Sequence, residues 1–275
     1  RFQKHIKPGK EGFVKSAYSA YRERSLGLGA MGFHSYLQSR SIPFEGIFAT
    51  GFNYKAFKYI KTQATRASER LAEDRGEAPD VSGSGRRNAN LLAVAPNASS
   101  SIICGGTSPS IEPYRANVYT HKTLSGSFQV KNKYLEELLQ DKGLKKDELT
   151  ALWKDIAGNE GSVQHLDILT DDEKELFKTA NEIDQIWIIE HASKRQEFIC
   201  QAQSVNLFFT IPTATEPQEV HDEYMQYVND VHWYGMNKLK SLYYFRTNAA
   251  RNAENVNTKV QRIKLDDAEC IACEG

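Results

Sequence analysis

A short, unbroken apolar run at residues 91–95 is the feature that most constrains the fold of this chain. It reads Leu-Leu-Ala-Val-Ala, with a loop rich in Gly and Ser at 81–87 before it and Pro96 directly after it. A strand that is apolar at every position is typical of a parallel sheet whose two faces are both covered. The run therefore predicts a buried parallel strand.

Helical and strand patterns alternate along much of the remaining chain. A long helix is predicted over residues 49–75 and ends where Gly76 and Pro79 follow. Strands joined by connections this long pair in parallel through right-handed crossovers, so the predicted fold class is α/β. The later patterns predict a helix at 182–203, a strand at 205–211, a helix at 217–238 and a strand at 242–245.

Composition excludes several classes of protein. The 275 residues carry 35 Lys and Arg against 35 Asp and Glu, so the basic excess typical of nucleic-acid binders is absent. No apolar stretch approaches the roughly 18 residues of a membrane span. Four cysteines are too few for a secreted disulfide framework. These features predict a cytoplasmic protein that binds neither nucleic acid nor membrane.

The segment 27–32 matches the G-x-G-x-x-G pattern of dinucleotide-binding proteins. That site needs a buried strand directly before the glycines, so that the next helix N-terminus faces the pyrophosphate. Residues 20–25 are instead charged and helical in pattern. Close helix packing at small residues is the favoured interpretation, and dinucleotide binding is the alternative.

The polar residues after the apolar run are candidates for phosphate binding. Asn97, Ala98, Ser99 and Ser100 follow directly on Pro96. A helix that begins here would present free N–H groups and hydroxyls at the carboxyl end of a sheet strand, where α/β proteins bind ligands. An ordinary serine N-cap without a ligand explains the same pattern equally well. The spacing leaves both interpretations open.

Two adjacent tyrosines occupy the last predicted strand, at 242–245. The simpler interpretation of Tyr243 and Tyr244 is a pair of aromatic side chains in a core. Neighbouring strand residues normally point to opposite faces, so each buried phenol would need its own polar partner. A pair of neighbouring stations for a radical is the alternative.

The four cysteines fall into two groups. Cys270 and Cys273 form a C-x-x-C pair in a polar segment that has no aromatic residue after Phe245. No second such pair lies nearby in the sequence, so a structural zinc site is not expected. A mobile tail that carries a dithiol shuttle fits their position best. Cys104 and Cys200 are predicted to be small buried side chains. The charged stretch 130–184 is predicted to form solvated helices without a chemical role.

Several stretches together resemble one family, the large (catalytic) subunit of class I ribonucleoside-diphosphate reductase. They follow the family's order, span nearly the whole chain and are very specific when taken jointly. Asn97 departs from the pattern, since relatives often have a hydroxyl residue there, but a backbone contact would survive the change. The matching stretches are residues 24–37, 87–102, 110–114, 124–126, 203–206, 243–247 and 269–273.

The resemblance implies a ten-stranded α/β barrel built from two five-stranded halves, of which this chain would hold the later part. Residues 1–246 would belong to the barrel domain, and residues 247–275 would form a flexible redox tail. Four residues, Asn97, Ala98, Ser99 and Ser100, would hold the diphosphate of a ribonucleoside diphosphate substrate through backbone N–H groups.

The resemblance also implies roles for the two redox pairs. Tyr243 and Tyr244 would relay a radical from the small subunit. Cys270 and Cys273 would reduce the active-site disulfide again after turnover and would themselves be reduced by thioredoxin or glutaredoxin. No cofactor or metal is expected on this chain, because the radical cofactor would reside in the small subunit.

Some parts of the family's machinery are not found in this sequence. The thiyl-radical cysteine of the family lies in an Asn-x-Cys-x-Glu loop, and neither Cys104 nor Cys200 matches that pattern. That cysteine and the sites for ATP or dNTP effectors would belong to an N-terminal half. The expected function is therefore a part of a ribonucleotide reductase, inactive without that half. A stand-alone thiol-redox or dinucleotide-binding module is the alternative.

Overall fold

The computed structural model describes residues 13–123 and 126–247, and Cys270 and Cys273 lie outside this part of the chain. Helices and short strands alternate along it. The helices are α1 (Val14–Glu23), α2 (Phe33–Ser39), α3 (Ile47–Arg75), α4 (Ala98–Ile103), α5 (Lys133–Asp141), α6 (Lys146–Gly158), α7 (Asp171–Leu176), α8 (Gln185–Gln196) and α9 (Gln218–Lys238), with a 3-10 turn at Pro79–Val81. The strands are β1 (Val118–Thr123), β2 (Gly126–Lys131), β3 (Leu207–Phe209) and β4 (Phe245–Thr247).

Four extended segments lie side by side in parallel. We name them the glycine segment (26–29), the apolar segment (91–95), the central segment (201–209) and the tyrosine segment (243–247). They pair in chain order through parallel contacts between Leu28 and Leu92, between Val94 and Gln203, and between Leu207 and Phe245. The predicted parallel α/β arrangement is confirmed, although only β3 and β4 form continuous strands within it.

Main-chain hydrogen bonds show that two of the four segments are internal. In the apolar segment, Ala93 N donates to Leu28 O at 3.1 Å and Val94 N donates to Ala202 O at 3.1 Å, on opposite sides. The central segment likewise bonds to both neighbours. Within the described residues, no further strand pairs with the outer side of the glycine segment or of the tyrosine segment.

The glycines of the 27–32 pattern allow two β segments to approach closely. A Cβ on Gly29 would stand 2.7 Å from the carbonyl oxygen of Ala93, and one on Gly27 would stand 3.3 Å from the Ala93 Cβ. Close packing at small residues was the favoured interpretation, but the prediction that helices make this contact is wrong. The segment preceding the glycines is helix α1, as the charged pattern indicated.

Helices α3 and α8 cover the sheet and form the main core with it. Helix α3 ends at Arg75 as predicted, and α9 covers residues 218–238 against a prediction of 217–238. Helix α8 stops at Gln196, so the prediction of a helix to residue 203 is wrong. The reason is that the main chain of residues 201–204 pairs with the apolar segment, which a continuing helix would prevent.

A second, smaller core is formed by the hairpin of β1 and β2 together with the charged stretch 130–184. The antiparallel hairpin of β1 and β2 packs with α5, α6 and α7 around it. The prediction of solvated helices is therefore only partly right, because α5 and α6 each bury apolar side chains on one face. The side chains buried there include Val118, Leu135, Leu139, Trp153, Ile156, Val163, Leu166, Leu169 and Phe177. No helix in the described residues is both long and apolar enough to cross a membrane.

Replacing Gly29 by alanine tests the close approach of the two β segments. The added methyl group would meet backbone rather than a movable side chain, so we expect Gly29→Ala to lower the free energy of unfolding by about 1–3 kcal/mol. Gly51→Ala is the matched control, because Gly51 lies inside α3 with nothing within 4 Å of its added Cβ. The control should stabilise by about 0.5–1 kcal/mol in the same thermal unfolding experiment. Equal effects at both positions would contradict the packing argument.

Candidate functional site

The loop after the apolar segment leads straight into helix α4. Asn97 precedes the helix with a left-handed φ of 50°, and its side chain makes no cap. Residues Ala98, Ser99 and Ser100 are exposed, whereas Ser101 is buried and its hydroxyl donates to Ala98 O at 2.6 Å. The N–H groups of a first helical turn have no partner within the helix. Polar donors are therefore available at the carboxyl end of this segment, where the sequence predicted them.

A cleft of about 250 Å³ joins this loop to the glycine segment. The sequence patterns were interpreted separately, but the fold places them on one surface. Because Gly27 and Gly29 have no side chains, the wall opposite Asn97 and Ser100 is formed by backbone and small residues. The lining residues are Gly27, Gly29, Ala30, Met31, Ala93, Ala95, Asn97 and Ser100.

A larger cavity of about 460 Å³ lies on the other face of α4. It contains a buried carboxylate, Glu112, with the guanidinium groups of Arg115 and Arg246 at its wall. Burial raises the pKa of Glu112, while Arg115, a hydrogen bond from Asn206 and Arg246 oppose that shift. The full lining is Pro96, Ala98, Ser101, Ile102, Thr107, Pro109, Glu112, Tyr114, Arg115, Ala116, Tyr119, Asn206 and Arg246.

Sequence reasoning assigned no role to the polar residues of this larger cavity. The signal was present, because Glu112 lies in the 110–114 stretch and Asn206 in the 203–206 stretch that carry the family resemblance. Neither has a spacing that predicts chemistry. Only the fold shows that the two side chains meet, since Asn206 Nδ2 donates to Glu112 Oε1 at 2.5 Å.

Tyr243 and Tyr244 lie just before β4 and are not buried. Their exposed fractions are 49% and 50%, so the prediction of a buried strand at 242–245 is wrong in both burial and position. Their ring centroids are 4.0 Å apart with the planes tilted by 49°. Adjacent residues in a regular strand point to opposite faces. The two rings can approach because the backbone here has not yet entered the strand.

The tyrosine pair adjoins the larger cavity. Asn206, which lines it, accepts a hydrogen bond from Tyr244 N at 3.2 Å. The Arg246 guanidinium also lines it and lies 5.1 Å from the centre of the Tyr244 ring. Ala98 of α4 forms part of the opposite wall. One cavity is thus bordered by the predicted phosphate loop and by the surroundings of the predicted relay.

The two cysteines in the described residues differ from the prediction. Cys104 is exposed, so the prediction that it is buried is wrong. Cys200 is partly buried, and its Sγ accepts N–H bonds from Leu91 and Leu92 at 3.0 and 3.1 Å. Burial would raise the pKa of the Cys200 thiol, but these backbone donors and Lys61 outweigh it and lower the pKa. Across residues 13–123 and 126–247, no group of three His, Cys, Asp or Glu side chains could hold a metal ion.

A buried hydrogen-bond network holds the cavity wall against α2. His34 Nδ1 accepts from Tyr114 N at 3.0 Å, and the Tyr114 hydroxyl lies 2.6 Å from Ser35 Oγ. The Ser35 hydroxyl also accepts from Ser108 N at 2.7 Å. His34 is fully buried, and desolvation lowers its pKa to about 3. It is therefore neutral at physiological pH, with Nδ1 unprotonated and able to accept.

Comparison with known proteins shows the family of the chain. The family model described as "Ribonucleotide reductase, barrel domain" matches residues 6–84 and 78–245. The chain belongs to this family. The α/β barrel predicted from the resemblance is confirmed at the level of the family and its fold.

Relatives and a solved structure give the extent of the similarity. A ribonucleoside-diphosphate reductase large subunit from Invertebrate iridescent virus 3 is 42% identical over 265 residues, covering 95% of this chain and 40% of the viral protein. A large subunit from Caenorhabditis elegans is 30% identical over 304 aligned residues, covering 94% of this chain and 37% of that protein. The solved structure of the Actinobacillus ureae class Id ribonucleotide reductase alpha subunit matches with a TM-score of 0.73 and 38% identity. The match covers 90% of this chain and 43% of that subunit. The chain spans about two fifths of the length of these proteins.

The buried histidines predict a loss of stability in acid. Burial lowers the pKa of His34 to about 3 and, with a smaller effect from Arg195, that of His191 to about 4, below the ordinary 6.5. Their stabilisation is therefore complete above pH 6.5 and is lost as the pH falls toward the folded-state values. Each histidine should lower the free energy of unfolding by about 1.4 kcal/mol per pH unit in that window.

Denaturant unfolding between pH 6.5 and 5 measures this slope. His34→Gln removes one titrating group, so the slope of the unfolding free energy against pH should fall by about 1.4 kcal/mol per pH unit. This change in slope is separate from any change in absolute stability. His232→Gln, at an exposed histidine, should leave the slope unchanged. An unchanged slope in the His34 variant would contradict the assignment of a neutral buried imidazole.

Proposed function

We propose that this chain forms part of the catalytic barrel of a ribonucleoside-diphosphate reductase large subunit. It would take part in the radical-based reduction of ribonucleotides to deoxyribonucleotides. The observation that carries the proposal is the cavity bordered both by α4 and by the residues around Tyr244. Membership of the reductase family supports the reaction class.

The proposed substrate contact is the diphosphate of a ribonucleoside diphosphate on the loop before and within α4. Asn97, Ala98, Ser99 and Ser100 supply exposed or half-exposed backbone N–H groups, and two of them add hydroxyls. The approach is open on the side of the glycine segment, where side chains are absent or small. Because α4 has only six residues, individual hydrogen bonds rather than a helix dipole provide the attraction.

Tyr243 and Tyr244 are the proposed radical relay. The two rings are in direct contact, and the neighbouring Tyr244 raises the pKa of Tyr243. In each step of the relay, one tyrosyl radical gains an electron and a proton and becomes a phenol while its neighbour is oxidised. The 4.0 Å ring separation leaves no residue between the two stations. The radical would originate in the small subunit.

The proposed reductant is the Cys270 and Cys273 dithiol, outside the described residues. Cys270 follows Tyr244 by 26 positions in the sequence, and a random coil of that length would span about 25–30 Å. In this proposal the pair passes two electrons and two protons to the active-site disulfide and is itself reduced by thioredoxin or glutaredoxin. Such a tether would hold the dithiol at an effective concentration on the order of mM.

Further chain is proposed to complete the catalytic unit. The chain spans about two fifths of its relatives, and both outer sides of the four-segment sheet lack a partner strand among the described residues. Buried parallel sheets rarely leave their edges open. The thiyl-radical cysteine and the sites for ATP or dNTP effectors are assigned to the N-terminal half that would supply the missing strands. A stand-alone dinucleotide module is not favoured, because helix α1 rather than a buried strand precedes the glycines.

Tyr244→Phe tests the relay. Phenylalanine keeps the ring but cannot lose the phenolic proton, so turnover by the complete reductase should fall by about a hundredfold or more. Assembly with the small subunit should persist in a binding measurement. Tyr59→Phe, at an exposed tyrosine of α3, is the control and should retain full activity. Retained activity in the Tyr244 variant would leave it without a catalytic role.

Cys270→Ser tests the tail. Turnover driven by thioredoxin should be lost, whereas turnover driven by a small dithiol should continue because a small reductant enters the site directly. Cys104→Ser, at an exposed cysteine, is the control and should leave turnover with both reductants unchanged. Equal loss with both reductants would rule out a shuttle. A chain that reduced disulfides efficiently by itself, without the rest of the reductase, would instead favour the thiol-redox alternative.

A further inference from the structure

The position of Tyr244 is set by its backbone more than by packing of its ring. The ring is half exposed and lies against the Tyr243 ring and the Arg246 guanidinium, which are themselves partly exposed. Neither neighbour forms a rigid pocket. The main-chain bonds of Tyr244 therefore carry most of the restraint on where its phenol lies.

Those bonds depart from a regular parallel ladder at Tyr244. Leu207 lies opposite Phe245, and Leu207 N donates to Tyr244 O at 2.9 Å. Regular pairing would continue with Tyr244 N donating to Val205 O. Instead, Tyr243 N donates to Val205 O at 2.9 Å, so the tyrosine segment has one extra residue here. An extra residue of this kind bends a strand and redirects side chains.

Because of this extra residue, the Tyr244 N–H group does not bond to the main chain of the central segment, and the side chain of Asn206 accepts its hydrogen bond instead. Tyr244 N donates to Asn206 Oδ1 at 3.2 Å, and Asn206 Nδ2 donates to Glu112 Oε1 at 2.5 Å. Asn206 is 2% exposed, so water does not replace either bond. An ionised carboxylate can only accept, so Glu112 determines which end of the amide faces Tyr244.

The Glu112 carboxylate is itself held firmly. Glu112 N donates to Pro109 O at 2.9 Å in a tight turn, and the side chain is 4% exposed. Burial raises the pKa of Glu112, and Arg115 and Arg246 lie near enough to oppose that shift. The guanidinium of Arg115 is in turn placed 5.3 Å from the centre of the Phe208 ring in β3.

We propose that Glu112 and Asn206 are positioning residues that hold Tyr244 in register for radical transfer to or from Tyr243. This inference rests on the proposed relay function of the two tyrosines. Without Glu112, the Asn206 amide can turn and present Nδ2 to Tyr244 N–H, donor against donor. The irregular backbone at Tyr244 is then no longer held by Asn206, and the rings of Tyr243 and Tyr244 move out of contact.

Exchanging the hydrogen-bond donor and acceptor between Asn206 and Glu112 tests the proposal in the complete reductase with its small subunit. Asn206→Asp removes the Nδ2 donor and places two carboxylates where the 2.5 Å hydrogen bond was, so their repulsion displaces the new carboxylate from the position in which it accepts from Tyr244 N–H. The double variant Asn206→Asp with Glu112→Gln restores the pattern, since the glutamine amide donates to the new carboxylate, whose other oxygen still accepts from Tyr244 N–H. The net charge beside Arg115 and Arg246 is then the same as in the parent.

The expected result is a selective loss of turnover that the double variant rescues. In Asn206→Asp, kcat should fall by about tenfold or more, with KM for the ribonucleoside diphosphate and Kd for the small subunit within about twofold of the parent. The double variant should recover kcat to within about threefold. Thermal unfolding of each variant shows that the chain remains folded.

A spectroscopic measurement separates positioning from general stability. With 3-aminotyrosine at position 244, whose oxidation is easier than that of tyrosine, the radical collects there and is counted by EPR. Its yield should fall in Asn206→Asp and return in the double variant. Full kcat and radical yield in Asn206→Asp, or a double variant no better than the single one, would overturn the proposal. Full activity of Tyr244→Phe would instead show that the relay assignment itself is wrong, and the inference would fall with it.

Discussion

The buried guanidinium of Arg195 is the interaction on which the rest of this structure depends. It lies in the main core, 1% exposed, and no carboxylate pairs with it in the described residues. Its Nε donates to Gln203 Oε1 at 2.9 Å and its Nη1 to Asn53 Oδ1 at 3.0 Å, while the rings of Phe33 and Phe57 lie within 6 Å of it. Burial lowers its pKa to about 9, which still leaves it charged near neutral pH. A hydrogen bond from a charged group typically contributes about 1.5–3 kcal/mol, so these two bonds hold α3, α8 and the central segment together.

The central segment carries this restraint to the site. Val94 lies opposite Gln203 and Leu207 lies opposite Phe245, so the position three residues beyond Gln203 is about level with both Asn97 and Tyr244. That position is Asn206. The register of the apolar, central and tyrosine segments thus places the loop before α4, the Asn206 amide and the tyrosine pair at the same level along the strands. An error in the position of Gln203 would be transmitted to all of them, because a β segment is a stiff connection over three residues.

Much of the architecture could be predicted from the sequence where the local pattern and the tertiary role agree. The long helices α3 and α9 and the parallel arrangement belong to this group, because their periodicity and end signals are properties of neighbouring residues. Prediction failed where distant contacts decided the outcome. The end of α8 depends on pairing of residues 201–204 with the apolar segment, and the second core depends on a hairpin that closes over three charged helices. The Glu112 to Asn206 contact joins residues 94 positions apart, which no spacing rule can anticipate.

The exposure of the tyrosine pair follows from its place in the sheet. The tyrosine segment is the last of four, and no strand covers its outer side within the described residues. On its inner side, Tyr244 bonds to Asn206 of the central segment. On the outer side, the rings of Tyr243 and Tyr244 remain half exposed. A radical on a phenol needs protection from water and from stray reductants, since exclusion of solvent is what prevents side reactions of reactive intermediates. The proposed relay therefore requires cover at this edge, and the same edge is where the proposed further chain would add a strand. In this proposal, addition of that strand and protection of the radical are one structural requirement, which gives a physical reason for the proposed relay to lie at the boundary of the described segments rather than in their core.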